Sequence, residues 1–307
     1  MEMRSINPSD LHIKDLHQFI VGAIAPRPIA FASTIDENGV PNLAPYSFFN
    51  AFSSNPPILV FSSNRRVQGN TTKDTLHNVQ KTGEVVINVV NYDIVKQMTI
   101  ASVNYAPGVS EFEKAGLTAI PSDTIKAPRV KESPVQFECK VKEIITLGEN
   151  GGAGHLVICE VQKIHIRESV IDANNRIDPN KLDLVGRLGR AYYVRASGDA
   201  LFTLFQEPEQ MALGFDKLPD SVRKSPYLSG NELASIASLT EFPTADDVQK
   251  VLEEDEELKE ILNTNKGHED MLYRDLHRYA ERAIRQDANR LAFCILMIAD
   301  KYYMLKK

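Results

Sequence analysis

The chain is 307 residues long, 43% hydrophobic and 25% charged, with a formal net charge of −6, a length that suits one domain carrying an extension. Residues 208–307 hold 14 Lys and Arg against 19 Asp and Glu, whereas residues 1–207 are nearly neutral. No basic stripe stands out in either part, which disfavours a nucleic-acid surface.

Cys139, Cys159 and Cys294 lie far apart, with no CxxC pair and no histidine at metal-ligand spacing, so no disulfide framework or metal site is expected. The opening MEMRSINPSDLH lacks the apolar run of a signal peptide. The longest apolar run, LAFCILMIA at 291–299, falls short of the about 20 residues a membrane span requires. Asn70-Thr71-Thr72 fits a glycosylation sequon by chance. A cytoplasmic protein without a membrane partner is expected.

In chain order, β signals come first. PIAFASTI at 28–35 reads as a strand, and Asn38-Gly39 marks a hairpin turn in which both residues tolerate positive φ. Residues 40–44 should return as its partner. The following stretch, NLAPYSFFNAFSSNPP at 42–57, fits no ordinary element, because three prolines cannot donate to a sheet ladder. ILVFS at 58–62 and EVVINVV at 84–90 are buried-type strands. Between them KDTLHNVQKTG reads as a short helix, capped by Thr71 or Thr72, with Leu76 and Val79 inward and Gly83 at its close. Asp93 should cap a second helix bearing Ile94, Met98 and Ala101.

VQFECKVKEII and HLVICEVQKIHI, at 135–145 and 155–166, are further strands. The GENGGAG between them leads into a strand, not a helix, so it reads as a hairpin loop and not a dinucleotide fingerprint. Hairpin-linked strands with few helices imply a closed or nearly closed antiparallel barrel. From Thr244 the pattern turns helical: Thr244 and Asp247 resemble a capping box, and one long helix is expected over about 269–304. The EEDEE run at 253–257 is a solvated helix face.

Searches for a nucleophile elbow, a zinc motif and a phosphate-binding P-loop come back empty. Three segments are informative: the 42–57 stretch, FSSNRRVQGNTTKDT at 61–75, and the pair of later strands ending near His155 and Glu160. In the second, Ser62, Ser63, Arg65, Arg66, Lys73 and Thr75 gather at a helix start, a good anion site, since guanidinium forks and free helix amides both bind phosphate oxygens. A polar surface loop with two exposed arginines would share that spacing, and an irregular edge strand with core phenylalanines would share the first pattern. Together the first two segments suit a flat heteroaromatic ring carrying a phosphate.

PRPIAFASTIDENGVPNLAPYSFFNAFSSNPPILVFSS, with KDTLHNVQKTGEVVINVV, PRVKESPVQFECKV, GHLVICEVQKIHI and RLGRAYYVR, resembles the flavin reductase-like FMN-binding proteins over about residues 15–200. The resemblance implies a split β-barrel homodimer holding FMN near the subunit interface. The fold class expected is therefore mainly β: a split antiparallel β-barrel with short helices over 1–207, then an α-helical extension over 208–307. By the resemblance, Ser33 and Thr34 would lie beside the flavin, and Pro45, Ser47, Phe48, Phe49 and Asn50 along its ring, with Phe52 left to the core. Ser62, Ser63, Arg65, Arg66, Lys73, Asp74 and Thr75 would hold the ribityl chain and 5′-phosphate. His155 would stand near the nicotinamide as the catalytic candidate, in a Gly-His pair where several relatives have Asp-His. Arg187 and Tyr192 are further candidates to line the site.

The implied activity is hydride transfer from NADH or NADPH to flavin and on to a small-molecule or protein acceptor. An FMN electron carrier without nicotinamide turnover, and a non-catalytic barrel used for interaction, are the alternatives.

Overall fold

The structure is a computed structural model that describes residues 2–106, 109–204 and 209–304. The chain separates into two compact units, Met1–Thr203 and Leu204–Lys307.

The first unit opens with helix α1 (Ile13–Ala23). Four strands follow, β1 (Ala30–Ile35), β2 (Pro41–Tyr46), β3 (Phe49–Ser54) and β4 (Pro57–Ser62). Then come α2 (Asp74–Thr82), β5 (Glu84–Val89), α3 (Val95–Ile100), α4 (Glu111–Ala115) and the short pair β6 (Ala119–Ile120) and β7 (Arg129–Val130). The long hairpin β8 (Val135–Thr146) and β9 (His155–Ile166), then α5 (Pro179–Leu182), β10 (Leu184–Arg187) and β11 (Tyr193–Ala196) complete it.

Seven strands form one antiparallel sheet in the order β2-β1-β5-β8-β9-β4-β3. Its two edges, β2 and β3, are consecutive in the chain and joined only by Ser47-Phe48, with no ladder between them. The barrel is split at that seam. This answers the 42–57 stretch: it is not one broken strand but both lips of the opening. Each lip pairs on one side only, β2 with β1 and β3 with β4, so Pro41 and Pro45 sit where a missing N–H is tolerated.

Strand β1 is buried on both faces. Ala30 and Ala32 join a core with Tyr46, Phe61, Leu76, Val79, Cys139 and Cys159. Phe31 points the other way, to Leu43, Val90 and Met98, which is why 28–35 is rich in apolar residues without a strict apolar–polar alternation. Helix α2 packs Leu76 and Val79 into the first core and ends at Gly83 in the left-handed conformation, φ 67°.

Several expectations need correction. At the β1–β2 turn only Gly39 takes positive φ (86°); the Asp36 carboxylate accepts from the Asn38 and Val40 amides and closes the loop instead. Neither Thr71 nor Thr72 caps α2. Lys73 occupies that position and makes no side-chain capping bond. Asp93 does not cap α3, which starts after Ile94. Phe52 is not core: on an edge strand, next to a break in register between Ala51 and Ser53, it is 68% exposed.

The second unit holds α6 (Asp220–Arg223), α7 (Gly230–Ala237), α8 (Ala245–Glu254), α9 (Glu256–Thr264), α10 (Glu269–Arg285) and α11 (Asn289–Met304) around its own apolar core. The Thr244–Asp247 capping box is present. The expected single helix over 269–304 is two helices, broken where Asp287 adopts φ 59°, a conformation aspartate tolerates better than most residues. Asp255 ends α8 and caps α9 by accepting from the Leu258 amide. No helix among the described residues is long and apolar enough to cross a membrane.

Candidate functional site

Two recesses flank the split in the barrel, and the neighbouring arginines of Asn64-Arg65-Arg66 serve one each. Extended chain turns successive side chains to opposite sides. Arg66 Nη1 donates to the Thr71 hydroxyl at 3.1 Å and the Thr72 carbonyl at 2.6 Å, which sets it beside Lys73, Asp74 and Thr75 in a recess floored by Asn42 and Ala44. Arg65 instead donates to Asn70 through Nε (2.7 Å) and Nη2 (2.8 Å). It lines a separate groove of about 460 Å³ with Phe48, Asn64, Gly152 and the Ile13 and His17 side of α1.

The Arg66 recess is built to receive an anion. The start of α2 lacks a side-chain cap, so its first amides stay free, with the positive end of the helix behind them. Lys73 Nζ lies over the Tyr46 ring, 4.9 Å from its centroid. Burial, and after it the nearby Arg66, lowers the Lys73 pKa, the response of a desolvated ammonium beside a like charge; the Asp74 and Glu111 carboxylates line the same recess. Burial pushes the Tyr46 phenol up to about 12, against smaller opposing pulls from the Thr75 and Ser63 hydroxyls. The Tyr46 hydroxyl and Ser63 Oγ are buried and find no well-formed hydrogen bond among the described residues, although the Thr75 and Ser63 hydroxyls lie near enough to the phenol to act on it. Two orphaned hydroxyls below two cations and an open helix end fit a ligand with a phosphate and a hydroxylated chain.

Behind this recess lies a buried amide–hydroxyl network. Thr34 Oγ1 accepts from Asn42 (3.2 Å) and Asn78 (3.1 Å), and the same Asn42 amide donates to Thr75 Oγ1 at 2.8 Å. The network ties β1, β2 and the first turns of α2 together. Glu111 accepts from the Leu43 amide, and burial raises its pKa. A recess of about 260 Å³ adjoins, bounded by Asn42, Asp74, His77, Lys81 and Glu111.

The remaining sequence candidates are spread around the seam. Ser33 and Thr34 are both buried but face opposite sides of β1: the Ser33 hydroxyl donates to the Pro128 carbonyl, while Thr34 enters the network above. Ser47 Oγ accepts from Arg27 Nε at 3.4 Å. Phe48 meets His17 edge-on with centroids 6.1 Å apart. Phe49 lines an apolar cavity of about 320 Å³ beneath the β10–β11 hairpin. Pro45 pairs opposite Phe31, and Asn50 turns its amide oxygen to the Ala51 N–H at 2.8 Å. Ser62 Oγ donates to Asn64 Oδ1 at 2.8 Å.

His155 is buried, with Nδ1 3.1 Å from the Ser63 carbonyl. Its Gly154 neighbour has a steric cause, because a Cβ there would stand 2.5 Å from Ser62 Oγ. Arg187 stacks on Tyr193, with 4.5 Å from guanidinium to ring centroid, and Tyr192 is exposed.

Sequence reading missed Arg27, Tyr46, Asn42 and Asn78. The Pro-Arg-Pro run and the polar residues at inward helix and strand positions were the available signals. The glycine-rich loop also has a role that composition did not reveal. Arg65 N donates to the Ala153 carbonyl (2.8 Å) and Gly152 N to the Arg65 carbonyl (3.0 Å), so this loop holds the arginine loop in place.

A carboxylate and imidazole cluster, Asp123, Glu138 and His165, lies elsewhere. Burial alone would raise the Glu138 pKa, but donation from the Thr124 hydroxyl and the Asp123 and Thr124 amides brings it to about 2. Arg129 and Lys163 already supply positive charge there, and the arrangement reads as a structural ion cluster.

Comparison with known proteins points the same way. A family model described as a flavin reductase like domain matches residues 22–181. An uncharacterized protein of Aquifex aeolicus is 40% identical over 184 residues, covering 60% of this chain and 91% of its own. One from Halalkalibacterium halodurans is 37% identical over 190 residues, 61% of this chain and 90% of its own. Among solved structures, nitrilotriacetate monooxygenase component B from Bacillus cereus has 34% identity and a TM-score of 0.61, covering 67% of this chain and all of that one. The 2-nitrobenzoate 2-nitroreductase NbaA of Pseudomonas fluorescens has 29% identity and a TM-score of 0.61, covering 69% of this chain and all of that one.

Proposed function

Because this chain belongs to the flavin reductase-like family of flavin-binding oxidoreductases, we propose that it holds FMN across the seam of its split barrel and works as an NAD(P)H-dependent flavin reductase. The observation that carries the reading is the convergence of Arg66, Lys73 and the uncapped start of α2 over the orphaned hydroxyls of Tyr46 and Ser63.

In this reading Arg66, Lys73 and the Asp74 and Thr75 amides hold the 5′-phosphate. The Ser63 and Tyr46 hydroxyls face the ribityl chain, and the Pro45–Asn50 segment offers the ring its backbone. When bound, FMN would supply the redox chemistry, hydride acceptance from NADH or NADPH and electron delivery to an acceptor. The chain's share is binding, alignment and exclusion of water. His155, fixed by the Ser63 carbonyl, acts as a support for the Ser62–Ser63 wall near the nicotinamide. The exposed edge strand β3 with Phe52 is the surface across which a second copy would close the site.

Flavin bands in the purified protein and stopped-flow mixing with each nucleotide test this. Bleaching with NADH or NADPH is expected. Bound FMN that neither nucleotide bleaches would leave an electron carrier, and a colourless protein that takes up no FMN would sink the flavin reading itself.

A further inference from the structure

Arg27 is a buried cation that no anion among the described residues answers. It sits in the Pro26-Arg27-Pro28 run before β1, its backbone bridged to Arg187, and is 6% exposed. Nη1 donates to the Val21 and Ile24 carbonyls at 2.6 and 2.7 Å, Nη2 to the Leu188 carbonyl at 3.2 Å and Nε to Ser47 Oγ at 3.4 Å. Four of the five N–H donors of the guanidinium are therefore used, and every acceptor is neutral. Among the described residues no carboxylate pairs with it. The charge nearest in effect is that of Arg187, which with burial lowers the Arg27 pKa.

A buried guanidinium with neutral partners is an expensive strut. The carbonyl end of α1 offsets part of the cost, but an uncharged donor could tie the same carbonyls without desolvating a full charge. What the charge adds is a field, and the field falls on the barrel seam. Ser47 is in contact, and the guanidinium carbon lies 5.9 Å from the Phe48 ring centroid.

We propose that Arg27 is a positioning residue that sets the Ser47–Phe48 wall and whose uncompensated charge favours the reduced form of the bound flavin. The inference rests on the reading of Ser47–Phe48 as a ring wall. Oxidised flavin taking up two electrons and one proton gains one negative charge. A fixed cation at the ring wall stabilises that product over the oxidised form and raises the potential.

The test compares Arg27→Gln, which removes the charge, with Arg27→Lys, which keeps the charge and loses the fork. Each full-length protein is loaded with FMN and reduced with xanthine and xanthine oxidase against a reference dye. In the Gln variant, binding of reduced relative to oxidised FMN should weaken about tenfold, a midpoint about 30 mV more negative for a two-electron couple. The Lys variant should stay near wild type even though both lose thermal stability. Equal shifts in both variants, or none in either, would overturn the inference and leave Arg27 a strut.

If neither variant folds, Arg187→Gln removes the second charge and leaves the Arg27 contacts. Its midpoint should also move negative, by a smaller step, and an unmoved midpoint would overturn the inference. Wild-type protein that binds no FMN would remove the flavin reading and this inference together. Wild type that binds FMN, with unshifted variants, removes this inference alone.

Discussion

Lys73, at the cap position of α2, rests its ammonium over the ring of Tyr46, the last residue of β2. Tyr46 in turn packs against Phe61 with centroids 5.1 Å apart. The cation at the helix start is thereby seated on the aromatic interior of the barrel, and a long, flexible side chain is aimed before any ligand arrives. Pre-aiming of this kind reduces the ordering cost of binding.

The two arginines should differ in effect. Lys73→Ala and Arg66→Ala each remove a charge-assisted bond worth about 1.5–3 kcal/mol, so FMN affinity should fall roughly 10- to 100-fold in each. Arg65→Ala should change it less than about threefold, because Arg65 is held by Asn70 in the separate groove beside Phe48, away from Lys73. Titration by quenching of flavin fluorescence reads all three. Greatest loss in Arg65→Ala would move the phosphate to the Phe48 groove.

Gly151→Ala should act on the same site from outside it. A Cβ at that position would stand 2.8 Å from the Val67 carbonyl and 3.1 Å from that of Arg66. Both are backbone atoms, which cannot swing aside as a side-chain end can. The arginine loop must shift, and near-native folding with FMN affinity lowered by about tenfold is expected. Gly39→Ala, at the β1–β2 turn, strains positive φ but meets no atom within 4 Å, and should leave FMN affinity unchanged. Equal affinities in the two variants would show that the loop contact does not govern the site.

Thr34→Val is nearly isosteric, yet it deletes the acceptor shared by Asn42 and Asn78. A buried donor left without an acceptor costs about 1–3 kcal/mol, and the Asn78 side chain donates to no other group among the described residues. The barrel unit should lose stability in that range, read by denaturant unfolding, since Thr34 is fully buried. Because the network also anchors the first turn of α2, FMN affinity should fall with it. A variant as stable as wild type would mean that water replaces the lost acceptor.

Strands, the α2 helix and the glycine that ends it were legible because burial on one or two faces leaves a periodic trace in the apolar residues. The flavin resemblance was legible for the same reason: its motifs lie on those elements in fixed order. What could not be read was direction. Arg65 and Arg66 are identical neighbours, and only the hydrogen bonds to Asn70 and Thr72 decide which recess each enters. Phe52 looks like core until β3 is known to be an edge strand. Asp287 gives no breaker signal as strong as proline or glycine, so two helices read as one. Arg27 was passed over because a lone arginine in a proline run carries no periodic signature, and its burial arises from contacts as distant in sequence as Leu188.

The helical unit carries its own pH response. His277 is fully buried, donates or accepts at Nδ1 with Ser225 Oγ at 2.7 Å, and leaves Nε2 without a partner. Tyr273 and Tyr227 pack beside it, with ring centroids 4.1 and 6.1 Å away. Burial lowers its pKa from 6.5 to about 4, so the folded unit prefers neutral imidazole and the unfolded chain binds the extra proton first. Stability is thus complete above pH 6.5 and declines as pH falls toward 4, by about 2 kcal/mol at pH 5 and about 3 kcal/mol near pH 4. Hydrogen exchange of the α10 and α11 amides in the full chain should show protection falling over that window. His277→Gln cannot take up the proton, so its protection should start lower but decline less. Parallel pH slopes in the two proteins would assign the acid response to other groups.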